Sequence, residues 1–384
     1  MTGKCKLRYT AASVCVIMAL MLSSCSDIKE TQETTTMQFE VIENQSGYGS
    51  LYVYETLSDK EKRCYDAFVK GVEAHQTEIR LPEILSPEEM RKIYVLVYNQ
   101  EPQLFWLNSI FAPPKTDTDV QTISYRYTRE ECAKMQEKID NAVGRIMAQL
   151  PENADDYQKI KTFHDWIVKN ASFEQDTYYG STVYGALVDG KAQCEGYAFA
   201  FSYVCDIAGI QNIVVPGKNN EGSSHVWNKV CINGLWYNVD LTWDDPIIHY
   251  DNPDFIRHDY MLVPDSDIVG ISHFPDESYY VHPECTSTDL NYYRIEGLTA
   301  DTADEAITLF TEQARLTAEK GEKETEIRLT SKAEYSTAVS RLFDEEYIKT
   351  IFAQVNSSCG TNIKNAYKYN NDSLLIIHVS FIYK

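Results

Sequence analysis

Apolar residues recur at helical spacing after Cys194 and then alternate with polar residues farther along the chain. The first pattern predicts a helix that begins at Cys194 and stops at Gly209. The second pattern covers residues 225–243 and is interrupted by Asn233-Gly234, a dipeptide typical of a two-residue type I′ turn. The stretch therefore predicts a helix followed by a β-hairpin.

The predicted turn determines which residues face each other across the hairpin. Pairing outward from the turn places Asp240 opposite Trp227, so that His225 and Asp240 are diagonal neighbours on one face. We expect a helix packed across that face to bring Cys194 to His225. The opposite face carries the apolar residues that a core-facing side needs: Val226, Val230, Ile232, Tyr237, Val239 and Leu241.

These positions assemble the parts of a thiol nucleophile, a base and a group that orients the base. Cys194 lies in the first turn of its predicted helix, where the helix dipole and the unpaired N–H groups favour a thiolate. His225 is the candidate base, and Asp240 is the candidate partner that fixes the imidazole tautomer. The sequence therefore predicts a Cys194–His225–Asp240 catalytic triad.

The same stretch resembles the core of the transglutaminase-like superfamily, which is related in fold to papain-type cysteine peptidases. The resemblance covers roughly residues 157–265. Glu195 stands where the animal cross-linking enzymes carry Trp, and Ala192 where they usually carry Gly, so the chain resembles the bacterial branch more closely. The segments that carry the resemblance are CEGYA (194–198), HVWN (225–228), WYNVD (236–240) and TWDDP (242–246).

The resemblance implies an α+β fold with a papain/transglutaminase-like core, in which a helix carrying Cys packs on an antiparallel sheet carrying His and Asp. It also implies that the approach to Cys194 lines the cleft, which makes Tyr184 and Gln193 further site candidates. Trp227 shares the face of His225 and is expected to shield the imidazole. The reaction would be transamidation or hydrolysis of peptide or protein amide bonds. The alternative function is a surface binding module that retains the fold without turnover.

The first 25 residues predict export and lipid anchoring. Lys4, Lys6 and Arg8 precede an apolar run that is too short to span a bilayer, as in a secretory signal peptide. The run ends in Leu-Ser-Ser-Cys, which resembles a bacterial lipobox and would make Cys25 the lipidated first residue of the mature protein. Ordinary cleavage nearby, with Cys25 incidental, is the alternative. We therefore expect an extracytoplasmic protein that is lipid-anchored to the bacterial cell membrane.

Charge and cysteine spacing narrow the possible partners. The chain has 35 Lys and Arg against 57 Asp and Glu, a formal net charge of −22, which argues against a nucleic-acid partner. The cysteines are scattered and predict neither a disulfide framework nor a zinc site. Calcium in the polar loop at 251–259 is an alternative to a plain turn, but we predict no metal and no cofactor. The expected partners are a protein or cell-wall peptide substrate and the membrane.

The remaining segments predict five regions. Residues 1–24 form the signal peptide, 25–47 a flexible tether, 48–150 an N-terminal helical/β region, 151–285 the catalytic core and 286–384 a C-terminal α/β module. Within the N-terminal region, 104–109 and 120–128 read as a β pair, and three capping boxes mark helix starts at Ser58, Ser86 and Thr128. His164, Asp165 and His378 are expected to have structural roles.

Overall fold

The computed structural model describes residues 48–109, 118–245 and 255–384. The predicted signal peptide, the tether with Cys25, and residues 251–254 of the polar loop at 251–259 lie outside the described residues. Within the described ranges, no helix is both long enough and apolar enough to cross a membrane. The predicted division at residues 150 and 285 remains a prediction.

A five-stranded antiparallel sheet positions the candidate site. Its strand order is β8-β7-β6-β5-β9. The predicted turn between β6 and β7 is confirmed, because Ile232 pairs with Leu235 and both Asn233 and Gly234 have positive φ angles of 54° and 81°. The strands are β5 Asn212–Asn219, β6 Ser224–Ile232, β7 Leu235–Val239, β8 Met261–Val263 and β9 His273–Pro275.

Helix α6, Cys194–Ile207, packs on one face of this sheet. Its apolar side shares a core with Val226, Val230 and Val239, and the side-chain amide of Asn228 donates to the carbonyl of Ala198 at 3.0 Å. The expectation that this helix covers the His225 face is therefore wrong. The helix instead covers the opposite face, because that face carries the continuous row of aliphatic side chains.

The N-terminal helices cover the face that we had expected to hold α6. Ile213, Val215 and Trp227 point into a core that they share with helices α1 to α3. Gln100 fixes this packing, because its side-chain amide donates to the carbonyl of Val214 at 2.8 Å and accepts from its N–H at 3.1 Å. The helices are α1 Tyr48–Glu55, α2 Asp59–Glu73, α3 Pro87–Gln100, α4 Arg129–Met147 and α5 Asp156–Asn170.

The N-terminal sheet differs from the prediction. All three predicted capping boxes are present, at Ser58, Ser86 and Thr128. However, strand β2, Val120–Thr122, pairs with strand β1, Glu78–Arg80, and not with residues 104–109. Only an isolated bridge between Leu107 and Tyr125 joins the two segments predicted to pair, because residues 102–104 form a 3₁₀ turn.

The C-terminal residues form a second sheet with its own core, as the alternation of helical and strand patterns predicts. The strand order is β10-β11-β13-β12, and helices α10 to α12 pack against it. The strands are β10 Thr299–Ala300, β11 Glu324–Leu329, β12 Ile363–Lys368 and β13 Ile376–Tyr383. The helices of this part of the chain are α9 Tyr292–Ile295, α10 Ala303–Lys320, α11 Lys332–Val339 and α12 Tyr347–Cys359. Two short helices precede them, α7 Leu241–Asp244 and α8 Asp265–Ile268.

Replacing Gln100 should destabilise the protein. Gln100→Leu leaves the buried N–H of Val214 without its side-chain partner, whereas the Val214 carbonyl keeps its hydrogen bond from the Tyr280 hydroxyl. We therefore expect a loss of about 1–3 kcal/mol in the free energy of unfolding. Urea denaturation of the wild type and the variant measures this loss. Gln149→Leu, at an exposed position, is the control. Equal stabilities for the two variants would contradict the role given to Gln100.

Candidate active site

Cys194 is the first residue of helix α6, as predicted. Its side chain is half-buried, and its helix begins without a side-chain cap from Gln193. The preceding loop lies directly on the helix start, because Gly196 allows the carbonyl of Gly180 to approach: a Cβ atom on Gly196 would lie 2.1 Å from that oxygen. The close packing fixes the position of the thiol and leaves the first N–H groups of the helix free of intrahelical partners.

His225 and Asp240 form a buried hydrogen-bonded pair. Nε2 of His225 lies 2.6 Å from Oδ2 of Asp240, and both side chains are almost fully buried. Asp240 does not lie on strand β7, which ends at Val239; it caps helix α7 instead. The diagonal relation predicted from the hairpin register is nevertheless kept, since Asp240 directly follows the last paired residue.

The electrostatics of the pair favour a charged imidazole. Burial alone would lower the pKa of His225, but the charge of Asp240, its hydrogen bond and the interaction with the Cys194 side chain raise the pKa to about 10. Burial would raise the pKa of Asp240, yet His225 and His273 hold it well below its usual range. Because Nε2 of His225 is occupied by Asp240, Nδ1 is the ring nitrogen that remains for the thiol.

Two tryptophans surround the His225 ring. Trp227 stacks on it with ring centroids 6.0 Å apart and an interplanar angle of 18°, and Trp243 lies 5.5 Å away. Trp227 itself is held by the hydrogen bond from its indole N–H to Asn238 Oδ1. The rings exclude water from one side of the imidazole, which strengthens its interaction with Asp240.

The other two cleft candidates have packing contacts. Gln193 donates from its side-chain amide to the carbonyl of Gln175, and its backbone N–H donates to Gly180. Tyr184 is buried in the core beside α6, with its ring 4.8 Å from that of Tyr179. The hydrogen bonds of Gln193 thus fix the loop that leads to Cys194, whereas the ring of Tyr184 packs against Tyr179 of that loop.

His273 is a site residue that the sequence analysis missed. Its Nε2 lies 2.8 Å from the same Asp240 oxygen that His225 contacts. His273 begins β9, an edge strand whose three residues pair with β5. No local sequence pattern predicts this strand, because three residues are too few to show periodicity.

A second buried network lies beside the first. His164 contacts Asp165 through Nδ1 and Asp244 through Nε2, each at 3.0 Å, and Asp165 also accepts from His258 at 2.7 Å. Burial would lower the pKa of His164, but its hydrogen bonds to Asp165 and Asp244 raise it to about 9. His164 and Asp165 were predicted to have structural roles, and each is hydrogen-bonded to a residue far along the chain. Asp244 lies 80 residues from His164, and His258 lies 93 residues from Asp165.

A third network joins the site to the C-terminal sheet. Asp259 accepts from His378 and from Tyr293, both at 2.8 Å. The next residue, Tyr260, accepts from the N–H of Asp240 at 3.2 Å and donates its own N–H to Asp244 at 3.0 Å. The hydrogen-bonded structural role predicted for His378 is therefore confirmed, and it anchors the backbone that positions Asp240.

Three groups of side chains in the described ranges bring potential metal ligands within 4.8 Å of one another. In each group, at least one nitrogen of every histidine already forms a hydrogen bond or ion pair with a carboxylate, which accounts for the burial of these charges. The groups are His164, Asp165 and His258; His225, Asp240 and His273; and Asp259, Glu326 and His378.

Residues 145–241 match the family model of the transglutaminase-like superfamily. This range contains Cys194, His225 and Asp240 in the order found in the sequence analysis. The chain is therefore similar to this superfamily over residues 145–241. The predicted α+β fold class is confirmed, with the Cys helix packed on the sheet that carries the histidine.

Curated relatives and solved structures are similar to this chain over part of its length. The kyphoscoliosis peptidase of Mus musculus is 23% identical over 176 residues, 39% of this chain and 26% of that protein. The human kyphoscoliosis peptidase is 26% identical over 175 residues, 36% of this chain and 25% of that protein. The chain thus spans about a quarter of the length of these relatives.

Two solved structures are similar to this chain with low TM-scores. A protein described as a TGase is 22% identical, with a TM-score of 0.27 and coverage of 30% of this chain and 34% of that chain. A protein proposed to be a cysteine protease, from Cytophaga hutchinsonii, is 18% identical, with a TM-score of 0.26 and coverage of 37% and 44%.

The buried histidines should make stability fall at alkaline pH. The folded-state pKa values of about 9 for His164 and about 10 for His225 lie above the unfolded value, so their contribution is complete below about pH 6.5 and is lost as the pH rises through the folded values. Urea denaturation at a series of pH values should show this fall, and His164→Gln and His225→Gln should each flatten it. An unchanged slope in both variants would contradict the proposed charge states.

Proposed function

We propose that this protein is a thiol acyltransferase or peptidase in which Cys194 is the nucleophile, His225 the base and Asp240 the residue that orients the base. The observation that carries the proposal is the placement of Cys194 at a helix start facing an imidazole whose Nε2 lies 2.6 Å from Asp240. Similarity to the transglutaminase-like superfamily supports this function class and implies protein substrates.

The chemistry follows from the charges of the site. The proton of Cys194 moves to Nδ1 of His225, and Asp240 stabilises the resulting imidazolium. The thiolate attacks the carbonyl carbon of a carboxamide or peptide bond, and the backbone N–H of Cys194 donates to the oxyanion. The imidazolium then protonates the leaving amine or ammonia, and an acyl-enzyme thioester remains.

The second half-reaction determines the product. His225 removes a proton from the incoming nucleophile, which attacks the thioester and restores the Cys194 thiol. Water as the nucleophile gives hydrolysis, and a primary amine gives transamidation. Both reactions use the same three residues, so the accessibility of the cleft to amines decides between them.

We also propose that the protein acts outside the cytoplasm while it is attached to the bacterial membrane by lipid on Cys25. The basic residues, the short apolar run and the Leu-Ser-Ser-Cys segment support this location. A membrane-anchored enzyme would meet cell-wall peptides and surface proteins as substrates.

Intact-mass spectrometry distinguishes the two reactions. The soluble protein and Cys194→Ala are each incubated with Gln-containing peptides, cell-wall peptides and a labelled primary amine. We expect wild type to incorporate the amine or cleave the peptides, and Cys194→Ala to do neither. Cys359→Ala, another half-buried thiol, is the matched control. Identical behaviour of wild type and Cys194→Ala would contradict the proposal and favour a binding module.

Loss of the lipid-modified cysteine should release the protein. Cys25→Ser removes the proposed acylation site, and one residue's acyl chains are the only expected membrane attachment. Fractionation of cells that express the full chain should show wild type with membranes and Cys25→Ser in the soluble fraction. Membrane recovery of both would exclude anchoring through Cys25.

A further inference from the structure

Asp240 receives hydrogen bonds from two histidines at a single carboxylate oxygen. Nε2 of His225 lies 2.6 Å and Nε2 of His273 lies 2.8 Å from Oδ2. The two rings are centred 5.4 Å apart at an interplanar angle of 65°, so they approach the oxygen from different directions. If Asp240 only oriented His225, the contact between Asp240 and His225 would be enough, and the contact with His273 would not be needed.

The other carboxylate oxygen is fully used as well. Oδ1 of Asp240 accepts from the backbone N–H of Thr242 at 2.9 Å and of Trp243 at 3.2 Å. The carboxylate therefore accepts four hydrogen bonds, which matches the approximately four lone-pair positions of an ionised carboxyl group. With the two backbone donors fixed, His273 is the side chain that restrains Oδ2 against rotation away from His225.

Ser272 contacts the other ring nitrogen of His273. Its Oγ lies 2.9 Å from Nδ1 of His273 and 3.4 Å from the carbonyl oxygen of Ile268, to which the hydroxyl donates. The ionised carboxylate of Asp240 only accepts hydrogen bonds, so Nε2 of His273 carries the proton in their contact. His273 is therefore a hydrogen-bond donor to the carboxylate.

The surroundings of His273 are otherwise apolar. The ring is fully buried, 4.6 Å from Trp243 and 4.9 Å from Trp227. Gly217 makes room for Trp227, because a Cβ atom there would lie 2.9 Å from the indole ring. An apolar side chain would satisfy this pocket, so packing alone does not account for an imidazole at residue 273.

We propose that His273 is a positioning residue for the base, so that the site operates as Cys194–His225–Asp240–His273. This inference rests on the proposed function. His273 holds Oδ2 in line with Nε2 of His225, which keeps Nδ1 of His225 directed at the thiol. It also takes part of the Asp240 charge, which limits how strongly Asp240 retains the proton on His225.

Removal of the hydrogen bond that His273 donates should change both the rate at which the Cys194 thiol reacts and the pH dependence of that rate. The titratable groups that face His273 are His225 and Asp240, together with Tyr260, which directly precedes β8 and whose pKa is raised by burial. Without His273, Asp240 interacts with His225 alone, and the imidazolium becomes harder to deprotonate. The alkaline limit of thiol reactivity should therefore move upward, while the loss of alignment slows the reaction.

The pH profile of Cys194 alkylation tests this inference without a known substrate. Modification of Cys194 by iodoacetate is followed by peptide mapping in wild type, H273L, H273Q and H273N. The His225 imidazolium attracts this anionic reagent, so the rate falls at the alkaline end when His225 loses its proton. We expect H273L to react on the order of tenfold more slowly, the effect of losing a hydrogen bond to a charged group, with its alkaline limit shifted upward. H273Q, whose amide reaches the Nε2 position, should recover most of the rate, whereas the shorter amide of H273N should not.

The outcomes separate the two proposals. Wild-type Cys194 that reacts no faster than Cys231 or Cys359 would refute the catalytic assignment itself. A fast wild type with an unchanged profile in H273L would refute the positioning role alone. If circular dichroism shows that H273L does not fold, the comparison of H273Q with H273N decides, and equal rates in those two variants would overturn the inference.

Discussion

The hydrogen bond between His225 and Asp240 is the interaction on which the proposed site depends. It requires the register of the β6–β7 hairpin, the end of β7 at Val239 and the turn that makes Asp240 a helix cap. A shift of one residue in that register would turn His225 to the other face of the sheet. Burial strengthens the pair, and it also makes the loss of either partner costly, because the remaining charge would be buried alone.

The two faces of the five-stranded sheet pack against different parts of the chain. Helix α6 packs on the aliphatic face and delivers the thiol at its first residue, while the N-terminal helices cover Trp227 on the other face. The C-terminal sheet reaches the site through Asp259 and the neighbouring Tyr260. Thus all three regions of the described chain contribute to holding one carboxylate.

Local patterns predicted the parts of the site that depend on neighbouring residues. The helix start at Cys194 follows from the helical spacing of apolar residues after it, and the turn follows from the Asn233-Gly234 dipeptide. The face on which α6 packs was mispredicted because the expected contact between Cys194 and His225 was given more weight than the aliphatic row on the opposite face, which the sequence shows. His273 was missed for a different reason: its contact with Asp240 depends on a three-residue strand pairing with β5.

The central claim is that Asp240 holds His225 as an imidazolium beside the Cys194 side chain. A pH titration of the His225 ring by NMR, in wild type and in Asp240→Asn, tests this most directly. The account predicts that the wild-type ring keeps its charge up to about pH 10 and that the ring of Asp240→Asn loses it at a lower pH. A wild-type ring that loses its charge near the ordinary histidine pKa of about 6.5 would contradict the account.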